Sequence, residues 1–143
     1  MPHATLALLP DDTVLQDVLG AVPRAVEGWT PLPVVLAGFG VFPGPPPVVW
    51  VAPVVTASLL ERHAELCEAV AAFGLHGHSR PGHWVPHITL CQGAASAARA
   101  IEVVSPLWNG PVTARFERIE IVRFPPVTVA WSGSLVRGSM NGA

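Results

Sequence analysis

The residues best suited to chemistry in this chain stand in two copies of one short phrase, Pro-His-x-Thr-Leu. The first copy carries His3 and Thr5, and the second carries His87 and Thr89. Because successive side chains of a β-strand point to opposite faces, a strand would place each histidine beside its threonine on one face. Two copies in a chain of 143 residues therefore offer two imidazoles and two hydroxyls to one candidate site.

Two imidazoles that face each other can act as a general base and a general acid, because histidine gains and loses a proton in the working pH range. The threonine hydroxyls are donors suited to the non-bridging oxygens of a phosphate. The reaction that fits is in-line attack on a phosphodiester. One histidine would take a proton from water, the other would protonate the leaving oxygen, and the threonines would hold the charge that develops. This arrangement requires no metal, and we predict no cofactor.

Other interpretations of these residues stay open. Taken alone, either histidine could be structural, and the threonines could simply favour strands. His76, His78 and His83 could join His87 in a metal site, but no carboxylate or cysteine lies close by in sequence to complete it. Lining the entrance of the site, or facing solvent, is the favoured role for these three histidines. A nucleophilic Cys91 is a further alternative.

The apolar pattern predicts strands alternating with helices. Strands are predicted over residues 3–9, 34–42, 48–54, 112–124 and 127–135, besides the one that holds the second phrase. Helices are predicted to begin after residues 11–13, which offer N-caps, after Thr56 and after Gly93. We interpret His63 as a structural residue of the second helix and Cys67 as buried in it. Ile88 and Leu90 are interpreted as core anchors of the second phrase.

The two halves of the sequence repeat one order of features. Each half has a His-x-Thr strand, a helix, a strand that ends in Phe-Pro, a proline turn, and a strand carrying a tryptophan, Trp50 or Trp131, which we interpret as core. This pattern predicts an internal duplication that brings the two phrases together about a pseudo-two-fold axis. One domain over residues 1–137 would contain pseudo-repeats at about 2–54 and 55–135, with a frayed tail at 138–143. Gly38 and Gly40 indicate a bulge or a close backbone approach.

Composition limits the classes of partner. The net charge is -2 at pH 7, which argues against an extended nucleic-acid surface because such binding rests on many basic contacts to phosphates. A small nucleotide phosphate or an RNA end stays compatible. No apolar run approaches the roughly 20 residues that span a bilayer, and no signal peptide is visible at the start. We therefore expect no membrane partner and a cytoplasmic location.

Three stretches together resemble a known family. They are the paired Pro-His-x-Thr-Leu phrases, the Phe-Pro turn before Val-Val-Trp-Val, and Arg-Pro-Gly-His-Trp-Val-Pro-His-Ile-Thr-Leu. They closely resemble the 2H phosphoesterase superfamily, in particular its bacterial 2'-5' RNA ligase-like and 2',3'-cyclic phosphodiesterase-like proteins, from residue 2 to about 135. The resemblance implies an α+β fold, a bilobal pseudo-two-fold duplication in which two antiparallel sheets form a central groove with helices on the outside.

The resemblance also implies an activity. Its members open 2',3'-cyclic phosphates on nucleotides or RNA ends, and some join or cleave 2'-5' linkages in RNA. Carried onto this sequence, His3 is implied to be the catalytic acid and His87 the catalytic base, with Thr5 and Thr89 binding phosphate. The alternative is a non-catalytic module of this fold that binds a nucleotide or a partner protein in the same groove.

Two residues that flank the second phrase are candidate substrate contacts. Arg80 could meet a phosphate and Trp84 a base. A solvated charge at Arg80 and a packing role for Trp84 are the alternatives, and we favour them.

The start of the sequence departs from the family pattern. Members have a strand and a helix before the first phrase, equivalent to residues 48–73 before the second, whereas here the phrase begins at Pro2. Three alternatives are open: the gene starts further upstream, a partner chain such as a second copy covers the apolar surface, or activity has been lost.

Overall fold

The fold of this chain combines three helices with six strands over residues 2–135, which are the residues that the computed structural model describes. The helices are α1 (Leu15–Ala25), α2 (Ala57–Val70) and α3 (Ala97–Val104). The strands are β1 (Leu32–Phe42), β2 (Val48–Pro53), β3 (Ile88–Gln92), β4 (Val112–Phe116), β5 (Arg118–Arg123) and β6 (Thr128–Ser134). The tail predicted at 138–143 lies outside the described residues. None of the helices described is long and apolar enough to cross a membrane.

The strands form two sheets. One has four antiparallel strands in the order β3-β2-β1-β4, and the other pairs β5 with β6. This arrangement confirms the α+β class with two antiparallel sheets. The prediction of a single strand over 112–124 is wrong, because the strand is interrupted at Glu117. The part before Glu117 pairs with β1 and the part after it with β6. The apolar alternation shifts phase at the same place, from Ala114 and Phe116 to Ile119 and Ile121.

The first Pro-His-x-Thr-Leu phrase is extended but is not the regular strand predicted over 3–9. Its one ladder contact in the described chain is an isolated antiparallel bridge between Ala4 and Ile88. Further along, the Leu8 amide donates to Ser79 Oγ at 3.1 Å, and the Leu8 carbonyl accepts from the His76 amide at 3.0 Å. These backbone groups are bonded to a loop rather than to a neighbouring strand, and no continuous ladder forms.

The N-termini of α1 and α2 differ in whether a side chain caps them. Thr56 caps α2 as predicted, its Oγ1 accepting from the Leu59 amide at 3.2 Å. The N-caps predicted at 11–13 are wrong, because the Thr13 amide donates to the Pro10 carbonyl at 3.1 Å and closes a turn there. The cap position of α1 therefore falls on Val14, whose side chain makes no capping hydrogen bond.

The core lies where α1 and α2 pack together and where α2 meets the four-stranded sheet. Its first cluster consists of Val18, Val22, Val26, Leu66 and Val70, and its second of Leu32, Val34 and Leu59. The predicted burial of Cys67 is confirmed, since it is 3% exposed. His63, interpreted as structural, is 2% exposed.

The second phrase contains one irregularity. Thr89 pairs with Trp50 and Cys91 with Val49, which leaves Leu90 as an extra residue in β3. Such a bulge interrupts the alternation of faces. The prediction that Leu90 faces the core is therefore wrong, as it is 47% exposed, whereas Ile88 is 6% exposed as predicted. The bulge suggested for β1 is present between Leu36 and Gly38.

Candidate active site

The two His-x-Thr phrases meet at the antiparallel bridge between Ala4 and Ile88. In this register residue 3 lies across from residue 89, and residue 5 across from residue 87, so each histidine lies across from the threonine of the other phrase. Ile88 points into the core, and its neighbours in each phrase therefore belong to the opposite face. The side chains of that face are His3, Thr5, His87 and Thr89. His3, Thr5 and Thr89 are exposed, and His87 is half-buried.

The ring of His87 is oriented by its own backbone. Its Nδ1 lies 2.8 Å from the Val85 carbonyl oxygen. A carbonyl only accepts, so Nδ1 donates and carries the hydrogen of the neutral ring. The lone pair then lies on Nε2, and the chemistry available there is acceptance of a proton.

An aromatic wall, made of Phe42 and Trp50, borders His87. The Phe42 ring lies 4.9 Å from the His87 ring and nearly perpendicular to it, and the Trp50 ring lies 5.9 Å away. The two aromatic rings contact each other at 5.2 Å. The Trp50 indole packs against the β1 backbone at Gly40, and a Cβ at that position would overlap the indole. Trp50 is half-buried and lies across from Thr89, so it belongs to the candidate site as well as to the sheet.

Sequence reasoning missed the aromatic wall. The phenylalanine was visible only as part of a turn and the tryptophan as a core residue. Their position beside His87 depends on the strand order, in which β2 lies between β1 and β3.

The predicted substrate contacts, Trp84 and Arg80, lie in different surroundings. The Trp84 indole stacks on the His63 ring, with 4.0 Å between ring centres and 9° between planes, and its Nε1 donates to the Thr5 carbonyl at 3.0 Å. Arg80 is exposed, and its amide donates to the Gly77 carbonyl at 3.2 Å. Trp84 thus contacts the backbone of the first phrase directly.

The remaining histidines and cysteines do not assemble into a cluster. Across residues 2–135, no three His, Cys, Asp or Glu side chains come together in a way that could hold a metal ion. The rings of His76 and His78 lie 5.6 Å apart. Burial raises the pKa of the Cys67 thiol, which keeps it protonated and unreactive near neutral pH.

Comparison with known proteins decides the family. A model of the 2'-5' RNA ligase superfamily matches residues 1–125. The chain belongs to this superfamily. The predicted resemblance to 2H phosphoesterases is thereby confirmed. No curated protein matches the chain. A solved crystal structure of a phosphoesterase superimposes with a TM-score of 0.65 and 19% sequence identity, covering 95% of this chain and 78% of the other. At that identity the likeness shows the fold.

Membership of the 2'-5' RNA ligase superfamily supports a phosphoesterase-type activity for this chain. Among the described residues, the candidate site is an open face on which His3, Thr5 and Thr89 are exposed. A hollow of about 440 Å³ lies elsewhere, beside α2, where Cys67, Glu68 and Arg80 are among its lining residues.

Proposed function

We propose that this superfamily member hydrolyses 2',3'-cyclic phosphates, on nucleotides or at RNA ends, with His87 as general base and His3 as general acid. The observation that carries the proposal is the bridge between Ala4 and Ile88, because it brings the two His-x-Thr phrases onto one face. The proposal extends to a cytoplasmic role in RNA end processing and to chemistry on 2'-5' linkages in RNA.

The proposed reaction is one in-line displacement. His87 Nε2 takes a proton from water, and the water oxygen forms a bond to phosphorus as the bond from phosphorus to the ribose 3' oxygen breaks. Protonated His3 gives its proton to that leaving oxygen, and the product is a 2'-monophosphate. Exchange with solvent then returns both rings to their starting states. Hydroxyl donors from Thr5 and Thr89 would stabilise the charge on the non-bridging oxygens.

The assignment of the base rests on ring orientation. Because His87 Nδ1 donates to the Val85 carbonyl, Nε2 is the basic nitrogen of the neutral ring. This supports His87, rather than His3, as the residue that activates water.

The surroundings of the site support a nucleotide-sized substrate. The aromatic wall of Phe42 and Trp50 offers apolar ring surface next to His87, on which a base can stack for about 1–3 kcal/mol. The open face leaves room for a chain to continue from a terminal nucleotide. A net charge of -2 disfavours long contacts to a phosphate backbone. The proposed substrate is therefore a free cyclic nucleotide or a single RNA end.

Phosphorus NMR of 2',3'-cyclic AMP tests the proposal. The protein is incubated with the substrate in chelator, alongside His87→Gln and, as a matched control, His83→Gln from the exposed loop before the second phrase. We expect conversion to the 2'-monophosphate by the unaltered protein and by the control. His87→Gln should be slower by about 10²-fold or more.

Two results would overturn the proposal. Turnover that stops in chelator would show that a metal carries the reaction. Absence of turnover on cyclic AMP and on a 2'-5'-linked dinucleotide, together with saturable binding of either compound, would establish the non-catalytic module instead.

A further inference from the structure

The buried histidine of α2 is built into the support of the first phrase. His63 is 2% exposed, and its Nε2 lies 2.9 Å from the Ser79 carbonyl oxygen. One face of the ring stacks on the indole of Trp84. The imidazole therefore joins α2 to the loop before the second phrase.

The two residues that His63 contacts hold the first phrase as well. Trp84 Nε1 donates to the Thr5 carbonyl at 3.0 Å. Ser79 Oγ accepts from the Leu8 amide at 3.1 Å. We call His63, Ser79 and Trp84 the His63 clamp. It bonds the backbone at Thr5 and Leu8, shortly after the bridge at Ala4.

We propose that His63 is a positioning residue that holds the first His-x-Thr phrase in register with the second and thereby sets the separation of the two catalytic imidazoles. The effect on turnover rests on the proposed function. The effect on the placement of the phrase does not, and it can be measured separately.

The first phrase needs such support. Among the described residues it has one bridge to β3 and no continuous ladder, and pairing register is weakly specified when so few contacts define it. A displacement of about 1 Å at a catalytic group can cost about 10²-fold in rate. The imidazole, fixed inside the core, holds Ser79 and Trp84 in place, and their bonds to the first phrase restrict that displacement.

A purely packing role does not account for a polar ring at this position. Burying a polar group costs free energy unless its hydrogen bonds are made, and an aromatic hydrocarbon would fill the same space and stack on Trp84 equally well. What the imidazole adds is its hydrogen bond to the Ser79 carbonyl oxygen. Cys67 shares the pocket, with its Sγ 3.3 Å from His63 Nε2 and 3.3 Å from the Ser79 carbonyl oxygen. Cys67→Ala keeps both the bond from His63 to Ser79 and the stack on Trp84, which makes it a matched control.

The test compares His63→Phe, His63→Gln and Cys67→Ala by amide hydrogen exchange and by steady-state kinetics on 2',3'-cyclic AMP. His63→Phe keeps the stacking and removes the hydrogen bond to the Ser79 carbonyl, whereas His63→Gln can restore it. We expect the Leu8 amide in His63→Phe to exchange about tenfold faster, with the Val70 amide of α2 unchanged. The value of kcat should fall about 10²-fold. Both effects should be smaller in His63→Gln and absent in Cys67→Ala.

Uniform acceleration of the Leu8 and Val70 amides would show a merely structural role and overturn the proposal. So would equal effects in His63→Phe and Cys67→Ala. If His63→Phe does not fold, the comparison of His63→Gln with Cys67→Ala decides by the same criterion. An unaltered protein without turnover would contradict the proposed function while the exchange data still test the clamp.

Discussion

Ala4 and Ile88 pair in an antiparallel bridge, although they stand in opposite halves of the sequence. This pairing places the two His-x-Thr phrases on one face, so neither half of the chain carries the candidate site alone. Contacts between residues so distant in sequence form against a large loop-closure entropy. The site therefore depends on the supports on either side of the bridge, which are the aromatic wall and the His63 clamp.

The first prediction concerns the aromatic wall. In Gly40→Ala the new methyl group would meet the Trp50 indole, which must then move away from β1. We expect a loss of about 1–3 kcal/mol in the free energy of unfolding and weaker binding of nucleotide, because Trp50 also borders His87. Urea unfolding and nucleotide titration measure the two effects.

Gly38→Ala is the control for this prediction, since nothing lies within 4 Å of a Cβ at that position of the same strand. It should leave stability unchanged or raise it by up to about 1 kcal/mol. Equal destabilisation by the two substitutions would show that the contact with Trp50 is not the cause.

The second prediction concerns the bond from Trp84 to the first phrase. Trp84→Phe keeps an aromatic ring against His63 and removes the donor to the Thr5 carbonyl. We expect about 0.5–1.5 kcal/mol less stability and faster amide exchange in residues 4–8. Trp29→Phe removes a comparable indole bond, to Glu65 at 2.9 Å, away from the site. Faster exchange at residues 4–8 in both variants would argue against a specific role for Trp84.

The third prediction is the pH dependence of stability that His63 confers. Burial lowers the pKa of His63 below 6.5, although hydrogen bonds to the backbone of Ser79 and Leu6 oppose the shift. The unfolded chain therefore binds the proton first as the pH falls. The contribution of His63 is fully present above about pH 6.5 and is lost as the pH falls towards and through the folded-state pKa.

Urea unfolding at pH 7.5, 6.5 and 5.5 checks this dependence. Stability of the unaltered protein should decrease across the series, and His63→Phe should show a smaller decrease. The Cys67 thiol beside the ring stays protonated throughout, because burial raises its pKa. Parallel curves for the two proteins would contradict the assignment.

Sequence patterns predicted the helices and strands better than they predicted which strands lie side by side. Thr56 before an apolar helical repeat specified the cap and start of α2, and Ile88 in an alternating run specified the buried face of β3. Periodicity reports which face of an element is buried but not which strand lies beside it. The apolar alternation slips by one residue at Glu117 and Arg118, but the slip alone does not report that the partner changes there from β1 to β6. The internal duplication stays a prediction.

The same limit applies to the candidate site. The paired phrases predicted His3 and His87 as one site because their residue types and spacing repeat. The bulge at Leu90 and the place of Trp50 beside His87 arise from registry between β2 and β3, which depends on tertiary pairing. The turn at Pro10, which displaces the cap of α1, likewise depends on a backbone hydrogen bond that competes with the side-chain caps.

The most direct measurement of the central claim is a double-mutant cycle on His3 and His87. The rate of 2',3'-cyclic AMP hydrolysis in chelator is measured for the unaltered protein, His3→Ala, His87→Ala and the double variant. If the two rings act as one acid and base pair, each single variant should lose about 10²-fold or more, and the double variant should be little slower than the slower single variant. Full activity in either single variant, or losses that multiply in the double variant, would contradict the account.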